Sequence, residues 1–571
     1  MLVDLLTRQG EELLASNETP WDIYPRPQMR RESYVNLNGV WEFENRAKGF
    51  PKKYHQTIRV PFCPESQLSG VGAHFSEGSA LCYRKMVTLP ENFRKGRVLL
   101  HVGAADQYLE CFVNDKKVGY HAGGYENITF DITDVVKDEN EIRFRCHDDL
   151  KNQSYPYGKQ VLPQKRGGMW YTPVSGIWQT VWLESVPETY IHKLNIENRG
   201  YGVTISTEPK MDGKVIVPGL GEFPLENGSV TITPENPHLW SPEDPYLYDF
   251  IVEAGEDRVE SYFAIRSLEI KKVGRYPRLC LNGKPYFFHG LLDQGYWPDG
   301  IFTPAKPQCY AEDILAMKRL GFNMLRKHIK VEAEEFYYQC DKLGMIVFQD
   351  MINNGAYHYV RDTVMPTVLL SSQRMNDVRL HTNPHQQRMF LDGMAATVNQ
   401  LKNHPCICYW TIFNEGWGQF DSDTVYEAFK KLDDTRFIDS TSGWFRRSKT
   451  DVDSRHVYFR KVKLKGDGEK PQVLSEFGGK TYLCQDHVFN PDKSYGYGGC
   501  DSLQQLNEAV AALYLQEVLP CVENGLCAAV YTQVSDVEDE INGLLSYDRK
   551  ICKLAEEVML PVADALQKAI K

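Results

Sequence analysis

Two glutamates stand at the ends of apolar runs, in a context that repeats. Glu415 follows the run at residues 407–413, Glu476 follows a shorter run at 473–474, and glycines come shortly after both. Apolar runs of this kind are typical of buried strands. A carboxylate there is costly unless it has a partner or a chemical role. One such glutamate is best interpreted as an ion-pair partner. Two in matching context favour a pair of carboxylates of the kind that cleaves glycosidic bonds.

The bulk composition limits the classes of protein that these glutamates can belong to. The chain has 571 residues, too many for one hydrophobic core, so we expect two to four domains. Hydrophobic residues make up 42% and charged residues 25%, which is ordinary for a globular protein. The net charge of −11 disfavours nucleic acid and anionic membrane surfaces as partners.

Targeting signals and cysteine usage predict the compartment. No run of about 18 apolar residues exists, so no membrane span is predicted. The amino terminus has no basic segment followed by a long apolar stretch, so no secretory signal is expected. The 14 cysteines are scattered without paired CxxC blocks. Free thiols and a cytoplasmic location are therefore predicted.

The residue patterns divide the chain into three segments. Residues 1–185 contain short alternating or aromatic runs separated by turn signals, which predicts a β-sandwich. Residues 186–267 continue this pattern at a length that suits a small immunoglobulin-like sandwich. From residue 268 to 571, strand-like and helical patterns alternate, which indicates a parallel sheet with crossover helices and is long enough for a (β/α)₈ barrel.

Within the third segment, the two glutamates end the predicted fourth and seventh barrel strands. We place these strands at residues 406–413 and 473–476, with strand six at 456–459 between them. The polar, glycine-containing stretch 461–472 predicts that the crossover helix between strands six and seven is missing. Because the carboxyl ends of barrel strands meet at one face, residues far apart in sequence can converge there.

Several motifs resemble those of glycoside hydrolase family 2, which includes β-galactosidases, β-glucuronidases and β-mannosidases. The resemblance covers nearly the whole chain. The motifs are residues 36–41 (Asn-Leu-Asn-Gly-Val-Trp) and 175–184 (Ser-Gly-Ile-Trp-Gln-Thr-Val-Trp-Leu-Glu), similar to the opening and end of a sugar-binding jelly roll, then 263–267 (Phe-Ala-Ile-Arg-Ser), 414–415 (Asn-Glu) and 475–478 (Ser-Glu-Phe-Gly). The resemblance implies a jelly roll, an Ig-like sandwich and a catalytic (β/α)₈ barrel.

The same resemblance implies roles for four residues. Glu415 would be the general acid/base and Glu476 the nucleophile of a retaining mechanism. Asn414 would donate to the sugar 2-hydroxyl, and Arg326, at the end of strand two, would pair with the nucleophile. A guanidinium keeps a carboxylate ionised, as a nucleophile requires. This chemistry needs no metal and no cofactor.

Further candidates come from the predicted strand ends. Asp293 lies in a loop rich in glycine and aromatic residues after strand one, where a pocket wall and a plain turn are both open. His328 and Asp350 end strands two and three and are candidates for binding hydroxyls. Tyr458 ends strand six and is a candidate for orienting Glu476, and Trp444 follows strand five as a stacking platform.

One stretch of the sequence favours a class of sugar substrate, although alternatives stay open. Glucuronidases of this family carry an Asn-x-Lys motif that grips the sugar carboxylate, whereas the corresponding stretch here contains the acids Glu538, Asp539 and Glu540. We therefore predict a retaining exo-β-glycosidase for a neutral sugar such as a β-galactoside. A β-glucuronidase or β-mannosidase is the alternative, and a non-catalytic carbohydrate-binding protein is the alternative of another class. A homo-oligomer, and a contribution of the first domain to the site (Trp170 and Tyr171), stay open.

Overall fold

The computed structural model describes residues 2–75, 78–149, 151–160, 167–368, 376–378 and 380–571. Two antiparallel sandwiches come first and a parallel barrel follows, so the predicted architecture is confirmed. Helix α1 (Arg8–Ala15) precedes the first sandwich, and the Thr7 side chain caps it by accepting a hydrogen bond from the backbone of Gly10.

The first sandwich packs a six-stranded sheet (order β3-β2-β4-β10-β7-β8) against a four-stranded sheet (β1-β12-β5-β9), with a small β11-β6 pair at one side. The strands are β1 (Tyr34–Asn36), β2 (Gly39–Arg46), β3 (Gln56–Val60), β4 (Ala80–Thr88), β5 (Arg97–Val102), β6 (Ala105–Asp106), β7 (Tyr108–Val113), β8 (Lys116–Ala122), β9 (Ile128–Asp131), β10 (Glu139–His147), β11 (Gly176–Ile177) and β12 (Val181–Val186). Strict alternation explains the core: in β10, Ile142, Phe144 and Cys146 point inward and are buried.

The second sandwich is smaller and has its own core. Its sheets have the orders β13-β14-β17 and β16-β15-β18-β19. The strands are β13 (Lys193–Arg199), β14 (Gly202–Glu208), β15 (Gly213–Val217), β16 (Gly221–Leu225), β17 (Ser229–Ile232), β18 (Tyr248–Ala254) and β19 (Asp257–Phe263). The domain limits at 185 and 267 stay predictions, although β12 and β19 end close to them.

A three-stranded antiparallel sheet, which the sequence did not predict, leads into the barrel. It consists of β20 (Leu268–Val273), β21 (Tyr276–Leu281) and β22 (Lys284–Pro285). The barrel strands are β23 (Phe288–Asp293), β24 (Met324–Lys327), β25 (Ile346–Asp350), β26 (Ile407–Asn414), β27 (Phe437–Ser442), β28 (Asp453–Val457), β29 (Gln472–Phe477) and β30 (Leu526–Tyr531).

The eight parallel strands follow the order β27-β26-β25-β24-β23-β30-β29-β28. Side chains of the two end strands bridge the remaining seam, where Ser442 Oγ lies 3.0 Å from His456 Nε2 and Ser454 Oγ donates to the Thr441 carbonyl at 3.3 Å. All eight residues of β26 are buried, which explains its continuous apolar run.

The described helices of the barrel segment are α2 (Gln308–Arg319), α3 (Glu334–Leu343), α4 (Met365–Val368), α5 (Pro384–Leu401), α6 (Ser422–Lys430), α7 (Leu503–Leu513), α8 (Leu519–Glu523) and α9 (Glu556–Ala569). Short π-helical turns lie at Val360–Val364 and Tyr514–Val518, and the first sandwich contains a 3₁₀ turn at Gln67–Ser69. None of these helices is long and apolar enough to cross a bilayer. All fourteen cysteines are free thiols, as predicted.

The predicted strands four and seven agree with β26 and β29 to within one residue at each end, whereas the predicted strand six is displaced from β28. The fully described connection between β28 and β29 contains no helix, so the predicted missing crossover is confirmed. The prediction placed strand six at 456–459, but β28 begins at Asp453 and ends at Val457. The prediction extended the strand because aromatic residues follow Val457. Phe459 has a φ of +58° and is 77% exposed, so the chain has left the sheet there.

Candidate active site

Glu415 and Glu476 meet at the carboxyl-terminal face of the barrel. Glu415 is the first residue after β26, and Glu476 is the penultimate residue of β29. Carboxylate oxygens of both, together with a ring nitrogen of His456, lie within 4.8 Å of one another. This spacing agrees with the separation of about 5–5.5 Å between the carboxyl groups of retaining glycosidases, and it is shorter than inverting enzymes need to admit a water.

The glycines after the two glutamates allow close approach of aromatic rings. Glu415 has a φ of +53° and Gly416 a φ of +73°, so the chain turns sharply as it leaves the strand. A Cβ on Gly416 would lie 2.1 Å from the Phe445 ring. Likewise, a Cβ on Gly478 (φ +84°) would lie 2.3 Å from the Tyr531 ring. The glycines of the two motifs therefore let each glutamate sit at a tight turn packed under an aromatic side chain.

Arg326 on β24 connects the groups that were predicted to act together. Its guanidinium donates to Glu476 Oε1 at 3.1 Å and to Asn414 Oδ1 at 2.9 Å. It also donates to Asp350 Oδ1 at 2.9 Å and to the Ser475 carbonyl at 3.0 Å. The side chain is 1% exposed, so these bonds form in a poorly hydrated interior where they are strong. Arg326 thereby fixes the nucleophile candidate and its neighbour Asn414 relative to each other.

The electrostatic surroundings keep Glu476 ionised. Burial by itself would raise the pKa of this carboxyl. The electrostatic influence of His456 and then of Arg326 outweighs burial and holds the pKa at about 2. At neutral pH Glu476 is therefore a carboxylate, the protonation state that a nucleophile needs.

His456 lies between the two glutamates, and the sequence analysis missed it as a site residue. Its Nδ1 is 2.8 Å from Glu415 Oε1, and its Nε2 is 3.0 Å from Ser442 Oγ and 3.5 Å from Glu476 Oε1. In the sheet it pairs directly with Glu476. A signal existed: His456 is two residues before Tyr458, so on an extended strand the two side chains share a face. The predicted strand 456–459 already contained both residues, so this signal could have identified His456.

Tyr458 and Trp444 lie on either side of this cluster. The Tyr458 hydroxyl donates to Glu476 Oε2 at 2.8 Å, so it contacts the carboxylate that it was predicted to orient. The Trp444 ring is 5.3 Å from the His456 ring in an edge-on arrangement, and its Nε1 donates to the Asp362 carbonyl at 2.9 Å. Because Trp444 is only 5% exposed, it supports His456 more than it offers an open stacking surface.

His328 and Asp350 form a buried pair beside Arg326. His328 Nδ1 lies 2.8 Å from Asp350 Oδ2, while the other carboxylate oxygen accepts from Arg326. Burial lowers the pKa of His328 to about 4, which keeps its imidazole neutral at neutral pH. The contacts of Asp350 are thus with Arg326 and His328, and a direct hydroxyl-binding role for it gains no support.

Asp293 belongs to a different network. Its Oδ2 accepts from Lys327 Nζ at 2.6 Å and its Oδ1 accepts from Gly295 N–H at 2.9 Å. Lys327 also donates to Glu332 at 3.0 Å, as does Lys330. These contacts secure the loop after β23, and none of them reaches the two glutamates. The structure therefore favours the turn over the pocket wall that the sequence left open for Asp293.

The first sandwich reaches the barrel face through Trp170 and its neighbours. The Trp170 ring makes edge-on contacts at 5.1 Å with Trp417, two residues after Glu415, and with Tyr357. Lys159 Nζ lies 5.6 Å from the centroid of the Trp170 ring. Part of the first domain is thus packed against the loops that carry the candidate acid.

The acidic stretch after β30 is buried and bound to protein groups. Glu540 accepts hydrogen bonds from the Tyr171 hydroxyl and from Asn542. Glu538 accepts from the Thr172 backbone at 2.8 Å, and Asp539 accepts from Asn490 at 2.7 Å. These acids join the first sandwich to the barrel, so their presence does not by itself argue against an anionic sugar.

The arrangement offers nucleophilic attack by one carboxylate and proton transfer by the other. Among the described residues, the cluster with metal-ligand spacing is Glu415, His456 and Glu476. These are the same atoms that the carboxylate chemistry would use, and that chemistry proceeds without a metal.

Comparison with known proteins finds family models and relatives to which the chain is similar. The family model described as "Glycosyl hydrolases family 2, TIM barrel domain" matches residues 273–480, and the model "Glycosyl hydrolases family 2" matches residues 191–266. A β-galactosidase of Thermoanaerobacter pseudethanolicus is 24% identical over 456 residues, which cover 72% of this chain and 54% of that protein. A β-glucuronidase of Felis catus is 25% identical over 459 residues, covering 69% and 65%. The chain thus matches between about half and two thirds of each of these two relatives.

Solved structures share the fold over nearly the full chain. A β-glucuronidase of an uncultured Clostridium species has a TM-score of 0.72 at 16% identity, covering 95% of this chain and 99% of that one. A β-galacturonidase of Eisenbergiella tayi bound to galacturonate has a TM-score of 0.66 at 18% identity, covering 96% and 99%. At such identities the likeness shows a common architecture.

Proposed function

Because the chain belongs to glycoside hydrolase family 2, we propose that it is a retaining exo-β-glycosidase, which removes a terminal β-linked sugar by double displacement. The observation that carries the proposal is the pair Glu415 and Glu476, with oxygens within 4.8 Å at the barrel face. The ionised state of Glu476, held by its positive neighbours, supports the assignment of the nucleophile.

In the proposed first step, a Glu476 carboxylate oxygen attacks the anomeric carbon. The bond to the glycosidic oxygen breaks, and Glu415 in its acid form gives its proton to that oxygen as the aglycone leaves. The product of this step is a glycosyl ester on Glu476. Arg326 and Tyr458, which both hydrogen-bond Glu476, hold the carboxylate in line for attack.

In the proposed second step, Glu415 is a carboxylate and acts as a base. It takes a proton from a water molecule, whose oxygen attacks the anomeric carbon and displaces the Glu476 carboxylate. Two inversions give net retention, and both glutamates return to their starting protonation states. His456, 2.8 Å from Glu415, keeps this side chain directed toward the anomeric centre through both steps.

For the sugar, two candidates enter the proposal. A β-galactoside is the prediction from sequence, and a relative named β-galactosidase agrees with it. That prediction assumed that Glu538, Asp539 and Glu540 would repel the carboxylate of a uronate. Each of these acids accepts a hydrogen bond from a protein group, so their presence is a weaker argument against a uronide. A β-uronide is therefore the second candidate, and structural neighbours named β-glucuronidase and β-galacturonidase support it. β-Mannosidase stays a weaker prediction.

A non-catalytic carbohydrate-binding protein is the competing class of function. Loss of either catalytic glutamate would favour it, and both are present in suitable geometry. A carbohydrate is the proposed ligand in either case. The cytoplasmic location and a homo-oligomer stay predictions.

A panel of p-nitrophenyl β-glycosides (galactoside, glucuronide, galacturonide, glucoside, mannoside and fucoside) tests the proposal. We expect turnover of at least one substrate by the wild type and no turnover by Glu476→Gln, which is nearly isosteric. NMR of the first sugar released should show the β-anomer. Release of the α-anomer would contradict retention, and equal turnover by Glu476→Gln would contradict the assigned nucleophile.

A further inference from the structure

Lys159 is a largely buried lysine whose ammonium has no hydrogen-bond or ion-pair partner among the described residues. The residue is 8% exposed. An ammonium in a poorly hydrated place is stabilised by an anion that can bind it directly. Lys159 is therefore a candidate for binding a negatively charged ligand.

The backbone around Lys159 is fixed against the catalytic face. The N–H groups of Tyr157 and Gly158 donate to the Asn353 carbonyl at 3.1 and 3.3 Å, in the loop after β25. A Cβ on Gly158 would lie 2.8 Å from the Ile329 carbonyl, so this segment touches the loop after β24 as well. The lysine carbonyl accepts from Tyr171 N–H at 3.1 Å. The ammonium is thus positioned by a rigid segment, and not by a freely moving loop.

The ammonium lies near the residues that carry the two catalytic candidates. It is 5.6 Å from the centroid of the Trp170 ring, which packs on Trp417, two residues after Glu415. Burial raises the pKa of Glu476, but the surrounding groups together outweigh it. Lys159 is among the groups that lower this pKa, and it acts in the same direction on the pKa of Glu540. Lys159 is therefore close to the nucleophile and to the stretch after β30.

Neither of the two nearby acids forms a hydrogen bond with Lys159. Glu476 is bound to Arg326 and Tyr458, and Glu540 accepts from Tyr171 and Asn542. An ammonium offers three donors and no acceptor, so a sugar hydroxyl could satisfy its hydrogen bonds but not its charge. A carboxylate would do both, through a charge-assisted hydrogen bond.

Four other basic residues near the ends of the barrel strands are either paired within the protein or exposed to solvent. Lys327 and Lys330 donate to Asp293 and Glu332 within the β23 and β24 loops. Arg460 and Lys461 are exposed beyond the end of β28.

We propose that Lys159, supplied by the first sandwich, binds the C5 carboxylate of a uronic acid in the sugar subsite and makes a β-uronide the preferred substrate. This inference rests on the proposed glycosidase function and names its substrate class. It also gives the first sandwich a direct part in specificity, because the residue that reads the carboxylate lies outside the barrel.

The test compares substrates that differ only at C6. The pairs are p-nitrophenyl β-D-glucuronide with the β-D-glucoside, and the β-D-galacturonide with the β-D-galactoside. We expect the wild type to prefer the uronide in at least one pair. Lys159→Met should lower kcat/KM for that uronide by about 100-fold, the size expected for loss of one partner of a buried charge pair, and change the neutral sugar by less than about threefold. Lys159→Arg should retain part of the preference.

Lys117→Met is the matched control. Lys117 belongs to the same sandwich but is exposed and paired with Glu110 at 2.6 Å, so its loss should leave the uronide preference unchanged. A wild-type preference for the neutral sugar in both pairs would overturn the inference. So would a Lys159→Met variant that lowers both members of a pair equally.

Calorimetry separates failure of this inference from failure of the glycosidase proposal. D-glucuronate, D-galacturonate, D-glucose and D-galactose are titrated into wild type and Lys159→Met, since product binding needs no turnover. Binding of a uronate that is lost in Lys159→Met, in a protein that turns over none of the glycosides, would uphold the lysine's role and contradict the proposed activity. Equal uronate binding by both proteins would overturn the role of Lys159. Thermal unfolding of the variant checks that it is folded.

Discussion

Among single residues, Arg326 is notable because its guanidinium hydrogen-bonds three candidate site residues. Its five donors form a planar fork, and the structure uses it to bind Glu476, Asn414 and Asp350 at once. A lysine could supply the charge but not this geometry. Removing the guanidinium would take away one of the main influences that lower the pKa of Glu476, while burial, which raises the pKa of a carboxyl, would remain.

We therefore expect Arg326→Met to shift the pH profile of kcat/KM. In the wild type the pKa of Glu476 is about 2, so this carboxyl stays ionised until the pH falls well into the acid range. In the variant, the acid limb should move upward by about one to three pH units. Arg326→Lys, which keeps the charge, should move the limb less while still lowering kcat. An unmoved acid limb in a folded Arg326→Met protein would contradict this account.

Glu415 should show the behaviour of an acid/base residue when it is removed. With Glu415→Ala, substrates with a very good leaving group, such as dinitrophenolate, need little protonation and should retain the first step. Alkyl glycosides should lose about 10²–10⁴-fold in rate. Added azide should restore the second step and yield a β-glycosyl azide, detectable by mass spectrometry. Glu427→Ala, an exposed glutamate paired with Lys449, is the control. Full activity of Glu415→Ala on alkyl glycosides would refute the assignment.

At the scale of elements, the ends of β26 and β29 determine where the glutamates point. Both strands are buried along their full length, so their backbones are fixed by neighbouring strands. The chain then turns abruptly through residues with positive φ. A strand end of this kind holds a side chain more rigidly than a long loop, which suits groups that must stay aligned during a reaction.

Gly416→Ala tests whether this turn is required. The substitution adds a Cβ at 2.1 Å from the Phe445 ring and also puts an alanine at a φ of +73°. Gly219→Ala isolates the second effect, because Gly219 has a φ of +83° with nothing within 4 Å. The φ cost of about 1–2 kcal/mol is common to both variants. Only Gly416→Ala should displace Glu415 and lower kcat/KM, by about 100-fold for a shift near 1 Å. Similar kcat/KM values for the two variants would contradict the turn's role.

At the scale of the whole molecule, buried polar groups connect the three sheet assemblies. Arg31 donates to Glu184 of the first sandwich at 3.3 Å and to Asp257 of the second sandwich at 2.7 and 2.9 Å. Asp341, in α3 of the barrel, accepts from the Tyr262 hydroxyl of the second sandwich at 2.8 Å. Such connections hold the first sandwich at the barrel face, where Lys159 and Trp170 are needed.

Arg31→Met should therefore destabilise the protein strongly. It leaves the buried carboxylate of Asp257 without its cationic partner, whereas Glu184 keeps Arg26 at 2.6 Å. Breaking a buried pair in this way costs about 3–5 kcal/mol. The midpoint of urea unfolding, followed by tryptophan fluorescence, should fall accordingly. Arg258→Met removes an exposed arginine paired with Glu260 and should cost less than about 1 kcal/mol. Equal midpoints for the two variants would show that Arg31 does not join the sandwiches energetically.

Features that depend on residues close together along the chain could be predicted from the sequence alone. Alternation predicted the sandwiches, continuous apolar runs predicted β26 and β29, and both glutamates were found at the strand ends. These signals are local, because burial of one or two faces leaves a period that can be counted. The rule that parallel strand ends meet at one barrel face then predicted that Glu415 and Glu476 lie close together. The family resemblance added Arg326 to this pair.

The hydrogen-bond and ion-pair partners of the site residues became apparent only in the folded structure. His456 contacts Glu415 because β27 and β28 close the barrel at that point, and Asp293 is bound to Lys327 instead of facing the glutamates. The segment next to Lys159 contacts the barrel because one domain docks on another, with Tyr157 and Gly158 N–H donating to the Asn353 carbonyl. Such contacts depend on register, strand closure and domain packing, which join residues hundreds of positions apart. No local period or propensity encodes them, so they become visible only in the folded molecule.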